Sequence, residues 1–215
     1  MSKGLFISFE GGEGAGKSTV LRAVCSALDE RAIAYCTTRE PGGTVLGEAL
    51  RALVLDPAHK KICSESELLM MFASRAQLVK EFIQPALEAG TWVISDRYTD
   101  ASFAYQGGGR GVDQKRIEDL EQWAAFGLKP ERTYLLDLPV SEGLKRVSER
   151  GQAFDRMESE AELFFERVRL AYLDRAQKEP KRIVVIDARK PLEYVVAQVI
   201  QDLKQLVVNW QGKQA

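Results

Sequence analysis

Histidine is almost missing from this chain. Of 215 residues only His59 carries an imidazole, in the polar stretch Asp56-Pro57-Ala58-His59-Lys60-Lys61. A mechanism built on a histidine base is therefore disfavoured, and His59 is expected to be a solvated loop residue. Cysteine is scarce as well. Cys25, Cys36 and Cys63 are odd in number and form no C-x-x-C pair. This argues against a disulfide scaffold or a zinc site and fits reduced, buried thiols in a cytosolic protein. Charge of one sign is lacking: 30 Lys and Arg face 31 Asp and Glu, a net charge of -1. No global field draws the chain onto nucleic acid or a membrane, so a small anion would have to be gathered by local arginines. Long apolar runs are absent too. The opening MSKGLFISFEGGEG turns glycine-rich after a short apolar stretch, which reads as neither a signal peptide nor a membrane span. There is no internal repeat, low-complexity tract or linker.

What is present is ordinary globular composition, 45% hydrophobic and 28% charged, in a length suited to one substantial domain over residues 1–215. Strand-like and helix-like segments alternate. The predicted strands are Leu5 to Glu10, Ile33 to Thr38, Trp92 to Ser95, Thr133 to Leu138 and Arg182 to Asp187. Helices are predicted over 17–31, 44–55, 113–126, 141–150, 158–178 and 192–210, with a long apolar helical region over 64–89 bent near Pro85. Regular alternation predicts a parallel sheet covered by helices on both faces, with ligands at the carboxyl ends of its strands.

The chemistry gathers at those ends. Gly11-Gly12-Glu13-Gly14-Ala15-Gly16-Lys17-Ser18 matches G-x-x-x-x-G-K-[ST] between a strand and a helix, the context of a phosphate-binding P-loop. Glycines let backbone N–H groups approach phosphate oxygens, and the helix that follows, with Thr19 in its first turn, aims its positive end at the same anion. Lys17 can reach the β- and γ-phosphates of ATP, and the Ser18 hydroxyl can ligate Mg²⁺. Asp96, closing the third strand, can orient the metal directly or through water.

Three arginines, Arg39, Arg75 and Arg97, lie in or near strand-end loops and suit a monophosphate, whose oxygens a planar guanidinium binds in pairs. Four pieces accompany the P-loop: Thr38-Arg39-Glu40-Pro41-Gly42-Gly43-Thr44, Leu69-Met70-Met71-Phe72-Ala73-Ser74-Arg75, Asp96-Arg97-Tyr98, and Ser102-Phe103-Ala104-Tyr105-Gln106-Gly107-Gly108-Gly109-Arg110-Gly111. Beside the P-loop, and in this order over nearly the whole chain, the set resembles the thymidylate (dTMP) kinase family. The resemblance implies a P-loop NTPase fold, three-layer α/β/α with a five-stranded parallel sheet, of the nucleoside-monophosphate-kinase kind with a short lid. It implies transfer of the γ-phosphoryl of ATP-Mg to dTMP. It also implies that Arg39 and Arg97 hold the acceptor phosphate, that Arg75 contacts the pyrimidine edge, and that Ser102, Tyr105 and Gln106 line the acceptor pocket, with Tyr105 crowding the 2′ position. Glu13, by the same resemblance, positions the acceptor sugar or a water. Either Phe72, three residues before Arg75, or Met71, four before, faces the base.

One branch of that family carries a catalytic arginine inside the P-loop, where this chain has Gly14. Arg150-Gly151-Gln152-Ala153-Phe154-Asp155-Arg156-Met157-Glu158 looks instead like the lid of the bacterial-type branch, which keeps its arginine there. Arg150 is the first candidate and Arg156 the second, in a lid over about 149–158. Lids of this kind close to exclude water. The glycine-rich 107–111 segment is a second candidate for movement. A homodimer through the 64–89 helices is expected, from their excess apolar surface and from the family. The rivals are a P-loop switch protein, for which N-K-x-D and D-x-x-G motifs are missing, a deoxynucleoside kinase, and a kinase for UMP or CMP.

Overall fold

The computed structural model describes residues 3–149 and 154–212. Five strands form one sheet in the order β2-β3-β1-β4-β5, where β1 is Phe6–Glu10, β2 Tyr35–Arg39, β3 Trp92–Asp96, β4 Arg132–Asp137 and β5 Ile183–Asp187. All four pairings are parallel. β1 is buried along its full length, as expected of a central parallel strand covered on both faces.

Alternation along the strands assigns the two cores. Ile7, Phe9, Ile94, Tyr134, Leu136 and Ile186 point to one face. There they meet helix α1 (Lys17–Asp29), through Val20, Val24 and Leu28, and the long C-terminal helix (Leu192–Gly212), through Val195, Val199, Leu203 and Val207. On the opposite face Phe6 and Val93 pack with Leu78, Val79, Ile83 and Leu87, whereas Leu135 and Ile183 pack with Phe165, Val168 and Tyr172. Those residues belong to helix α3 (Ser64–Leu78) with its continuation, and to helix α8 (Glu162–Lys178). No described helix is long and apolar enough to cross a membrane.

Three departures from the sequence reading are instructive. The 64–89 region runs on as helix, but as three pieces: α3, a π-helical turn at Val79–Ile83, and α4 at Gln84–Glu88. Pro85 near the start of α4 has no N–H to give the turn before it, and the wider turn accommodates that loss. Second, residues expected to form a glycine loop are helical: α5 is Thr99–Ser102, followed by a π-helical stretch at Phe103–Gly109. None of Gly107, Gly108 and Gly109 has positive φ. Their value is space, since Gly108 lies against Ala171 and the Arg167 backbone, and Gly109 against the ring of Phe164. Third, the cysteines are free, but none is buried as expected: Cys25 and Cys36 are half-buried and Cys63 is exposed. His59 is exposed, as expected. The remaining helices are α2 (Val45–Leu55), α6 (Gln114–Ala124) and α7 (Val140–Ser148), making the C-terminal helix α9.

The α5 segment is anchored by charge. Asp100 is 1% exposed and accepts from Arg175 of α8 at 3.0 and 3.1 Å and from Arg182, just before β5, at 2.7 and 2.9 Å. Burial alone would push its carboxyl up. The bonds and charges of Arg182 and Arg175 outweigh burial and hold it below the ordinary 3.8. A depressed carboxyl contributes stability above its unfolded value, and that contribution fades as pH falls from about 4 through the folded value. Asp100→Ala should therefore cost about 3 kcal/mol, because Arg175 and Arg182 lose a fully buried partner and keep only Glu179 as an ion-pair partner. Asp100→Asn should flatten the loss of stability below about pH 4. Urea unfolding across a pH series measures both, and an unchanged acid limb in Asp100→Asn would contradict the assignment.

Candidate active site

Register brings the strand ends together. Phe9 pairs with Asp96 and Arg39 pairs with Asp96, so the segments that follow β1, β2 and β3 open on one edge. The P-loop turns through positive φ at Gly11 (138°), Gly14 (71°) and Gly16 (89°), conformations that suit glycine. At Gly14 a side chain has no room, because an added Cβ would fall on the backbone of Gly143 in α7. Nζ of Lys17 donates to the carbonyls of Gly11 and Gly12, each at 3.1 Å. Burial, then the neighbouring Arg97 charge, lowers the Lys17 ammonium.

Arg97 sits at φ 73°. Its left-handed turn is clamped from two sides: Ser95 Oγ donates to the Arg97 carbonyl at 2.6 Å, and the Tyr98 N–H donates to Glu10 Oε1 at 2.7 Å. The guanidinium donates to the Gly11 carbonyl (3.1 Å), the Tyr172 hydroxyl (3.2 Å) and Glu13 Oε1 (2.7 Å). Tyr105 donates its hydroxyl to the same Glu13 oxygen at 2.7 Å, and its ring lies 4.8 Å from the Arg97 guanidinium carbon. Tyr172 also donates to Glu10 Oε2 at 2.7 Å. Burial and then the nearby Asp100 push the Glu10 carboxyl up to about 8, against the opposing charge of Arg97.

Arg75 is 2% exposed and lies 4.4 Å above the Phe72 ring. Its Nε donates to Glu40 Oε2 at 2.7 Å, Nη1 to Ser102 Oγ at 3.1 Å and Nη2 to the Tyr98 carbonyl at 3.2 Å. Arg39 is half exposed and paired with Glu48 at 2.9 Å.

A cleft of about 530 Å³ joins these groups. Of the residues singled out from the sequence, its walls include Glu13, Gly14, Ala15, Gly16, Lys17, Ser18 and Thr19, together with Arg39, Arg75, Asp96, Arg97, Ser102, Tyr105 and Gln106. Gly11 and Gly12 stay behind, with their carbonyls turned to Lys17 and Arg97. Two expectations are corrected. Phe72 does not line the cleft: it is buried with Leu68, Phe103 and Ile117, beneath Arg75, while Met71 faces the cleft. One helical position, about 100° of rotation, separates the two. Arg156 does not line it either. It is 7% exposed, with its guanidinium held by Glu67 and by the Val54 carbonyl. Arg150 lies outside the described residues.

Cleft residues that sequence reasoning missed are Glu40, Arg51 of α2 and Arg146 of α7. Arg51 donates to the Pro41 carbonyl at 2.9 Å, which aims it inward. Glu40 carried a signal, since it lies inside the Arg39-Glu40-Pro41-Gly42-Gly43 run. Arg51 and Arg146 read as charges on the polar faces of amphipathic helices, and no spacing distinguishes them from solvated ones.

The thymidylate kinase family model matches residues 9–199. A thymidylate kinase of Chromohalobacter salexigens is 50% identical over 211 residues, covering 98% of this chain and 100% of the relative. One of Marinomonas sp. is 46% identical over 210 residues, covering 98% and 99%. The crystal structure of thymidylate kinase from Ehrlichia chaffeensis superposes with a TM-score of 0.74 at 32% identity, covering 94% of this chain and 99% of that one. With the sheet order, the P-loop and the arginine-lined cleft already in place, these likenesses make the chain a member of the thymidylate kinase family.

Proposed function

We propose that the cleft holds ATP at its P-loop end and dTMP at its arginine end, and passes the γ-phosphoryl between them to give ADP and dTDP, a step toward dTTP for DNA synthesis. The observation that carries this reading is that one cavity joins Lys17 and Ser18 to Arg39, Arg75 and Arg97. A phosphoryl donor and an anionic acceptor can then meet in line. Lys17 neutralises β- and γ-oxygens. Arg97 and Arg39 receive the acceptor phosphate, and Arg51 adds a cation to the same wall. The acceptor is already an anion, so no strong general base is needed. Glu13 is held by Arg97 and Tyr105 and orients the acceptor sugar or a water.

Magnesium fits the donor set. Oδ1 of Asp96 is buried and takes no hydrogen bond among the described residues, and Ser18 is exposed at the P-loop end of the cleft. Ser18 and Asp96 would hold the ion, Asp96 directly or through water. When bound, the ion neutralises charge on the transferring phosphate. Gly14 has no space for a side chain, which supports placing the remaining cation in the lid, at Arg150. Residues 1–215 then act as one domain whose lid spans about 149–158, and Asp155, Met157 and Glu158 already reach the cleft. Exposed Leu69 on α3, with Trp123 and Phe126 on and just after α6, supports pairing of two chains through the 64–89 region. The charge balance of -1 favours no nucleic-acid or membrane partner, and a cytoplasmic location accords with the composition.

A coupled assay with ATP-Mg and dTMP, dUMP, UMP, CMP or thymidine should give highest turnover with dTMP. Turnover of thymidine without dTMP would make the chain a nucleoside kinase. Arg150→Ala should lower kcat by about 100-fold or more while leaving KM for dTMP nearly unchanged; a pure KM effect would remove Arg150 from the transfer step. Light scattering at micromolar concentration should return twice the 24.0 kDa chain mass, and a monomer mass would refute the paired state.

A further inference from the structure

Glu67 of α3 has no solvent exposure, yet it touches neither nucleotide end of the cleft directly. Its Oε2 accepts from two arginines, Arg110 Nη2 at 3.1 Å and Arg156 Nη2. Its Oε1 accepts from Arg110 Nε at 3.2 Å and from Gln106 Nε2 at 2.9 Å. Burial would raise this carboxyl, but the bonds from Gln106, Arg110 and Arg156 outweigh it and keep it ionised.

An ionised carboxylate can only accept. The Gln106 amide therefore has one permitted orientation, with Nε2 turned to Glu67 and Oε1 turned away. Gln106 is 1% exposed and lines the cleft, and among the described residues nothing donates to its Oε1. Nearby, Arg75 donates one Nη1 hydrogen to Ser102 and keeps the other. The pocket wall thus offers one fixed acceptor and one fixed donor. A pyrimidine with a 4-keto group and an N3–H presents the complement, an acceptor at O4 and a donor at N3. Cytosine presents a donor at N4 and an acceptor at N3, the reverse of what the wall can pair.

We propose that Glu67 is a specificity-determining positioning residue: by fixing the flip of the Gln106 amide, it sets the acceptor pocket for a 4-keto pyrimidine monophosphate and against cytosine. This inference rests on the reading of the arginine end of the cleft as the dTMP site. The arginines make the lock directional. In a Glu67→Gln variant the new carbonyl oxygen stays at the Oε2 position, where both Arg110 Nη2 and Arg156 Nη2 donate, and the new NH₂ takes the Oε1 position, giving up the single Arg110 Nε bond there. That NH₂ requires Gln106 to present its oxygen, so Nε2 turns into the pocket and the wall then offers two donors, Gln106 Nε2 opposite the pyrimidine N3–H and Arg75 Nη1 opposite O4.

The test is kcat/KM for dTMP and dCMP in the unaltered protein, in Glu67→Gln and in Gln106→Met, with thermal melts to show that each variant is folded. Glu67→Gln should raise the dCMP-to-dTMP ratio at least about tenfold, with the loss falling on dTMP. A purely structural role lowers both substrates in proportion, and an unmoved ratio overturns the inference. Should Glu67→Gln fail to fold, Gln106→Met decides: it leaves the arginine pairs of Glu67 in place. A drop of about tenfold in dTMP preference supports the lock, and an unchanged preference overturns it. An unaltered protein that turns over no dTMP would instead overturn the reading of the site, which separates that failure from failure of the lock.

Discussion

The guanidinium of Arg97 lies where three parts of the molecule meet. It bonds to the Gly11 carbonyl and the Glu13 carboxylate of the P-loop, and to the Tyr172 hydroxyl of α8. Its own backbone sits in a left-handed turn at the end of β3, a conformation that costs a non-glycine residue free energy of order 1–3 kcal/mol. That cost is offset locally, by Ser95 bonding the Arg97 carbonyl and Glu10 bonding the Tyr98 N–H. This turn sets the direction in which the guanidinium leaves the end of the strand. The P-loop, the end of β3 and helix α8 share their contact through that guanidinium.

Parallel pairing makes this arrangement possible. Because β1 sits between β3 and β4, its carboxyl end is flanked by the ends of both neighbours. Glu10 can then reach Tyr98 and Tyr172, and Glu13 can reach Arg97 and Tyr105. Carboxylates and cations alternate through the network. Lys17, Arg39, Arg51, Arg75, Arg97 and Arg146 line the cleft beside the carboxylates Glu13, Glu40, Asp96, Asp155 and Glu158, so the field there is set by where these charges are placed, although the chain as a whole is close to neutral. A local field of this kind is screened less by salt than one made from exposed surface charge.

Much of this was legible from residue order. The strands were readable because each is a short apolar run closed by a polar or glycine-rich segment, and the P-loop because glycine spacing, lysine and flanking elements agree with one another. Members of the site that lie on helices were harder. Met71 and Phe72 are both apolar and adjacent, and only the rotation of α3 tells which one meets the cleft and which lies under Arg75. Arg156 has the composition of a lid arginine, yet Glu67, 89 residues away, captures it. Pairing at that separation leaves no periodic trace. The 107–111 segment was expected to be a moving loop because glycine in a row signals flexibility when its surroundings are unknown, yet 107–109 are helical. Here the glycines make room for α8, and the helical path is secured by Asp100 and two distant arginines.

That glycine-for-space packing bears on how such a pocket can change over evolutionary time. Where Gly108 and Gly109 touch Ala171 and Phe164, the wall behind Tyr105 and Gln106 has no side chain to enlarge, shrink or recharge without parting two helices. The facing wall on α3 is built from side chains, and there Met71 can be exchanged by itself, whereas Arg75 is tied to buried Glu40. Variation in the choice of acceptor therefore has an asymmetric path open to it. One side of the pocket serves as an invariant gauge, and drift in shape or polarity falls on the other.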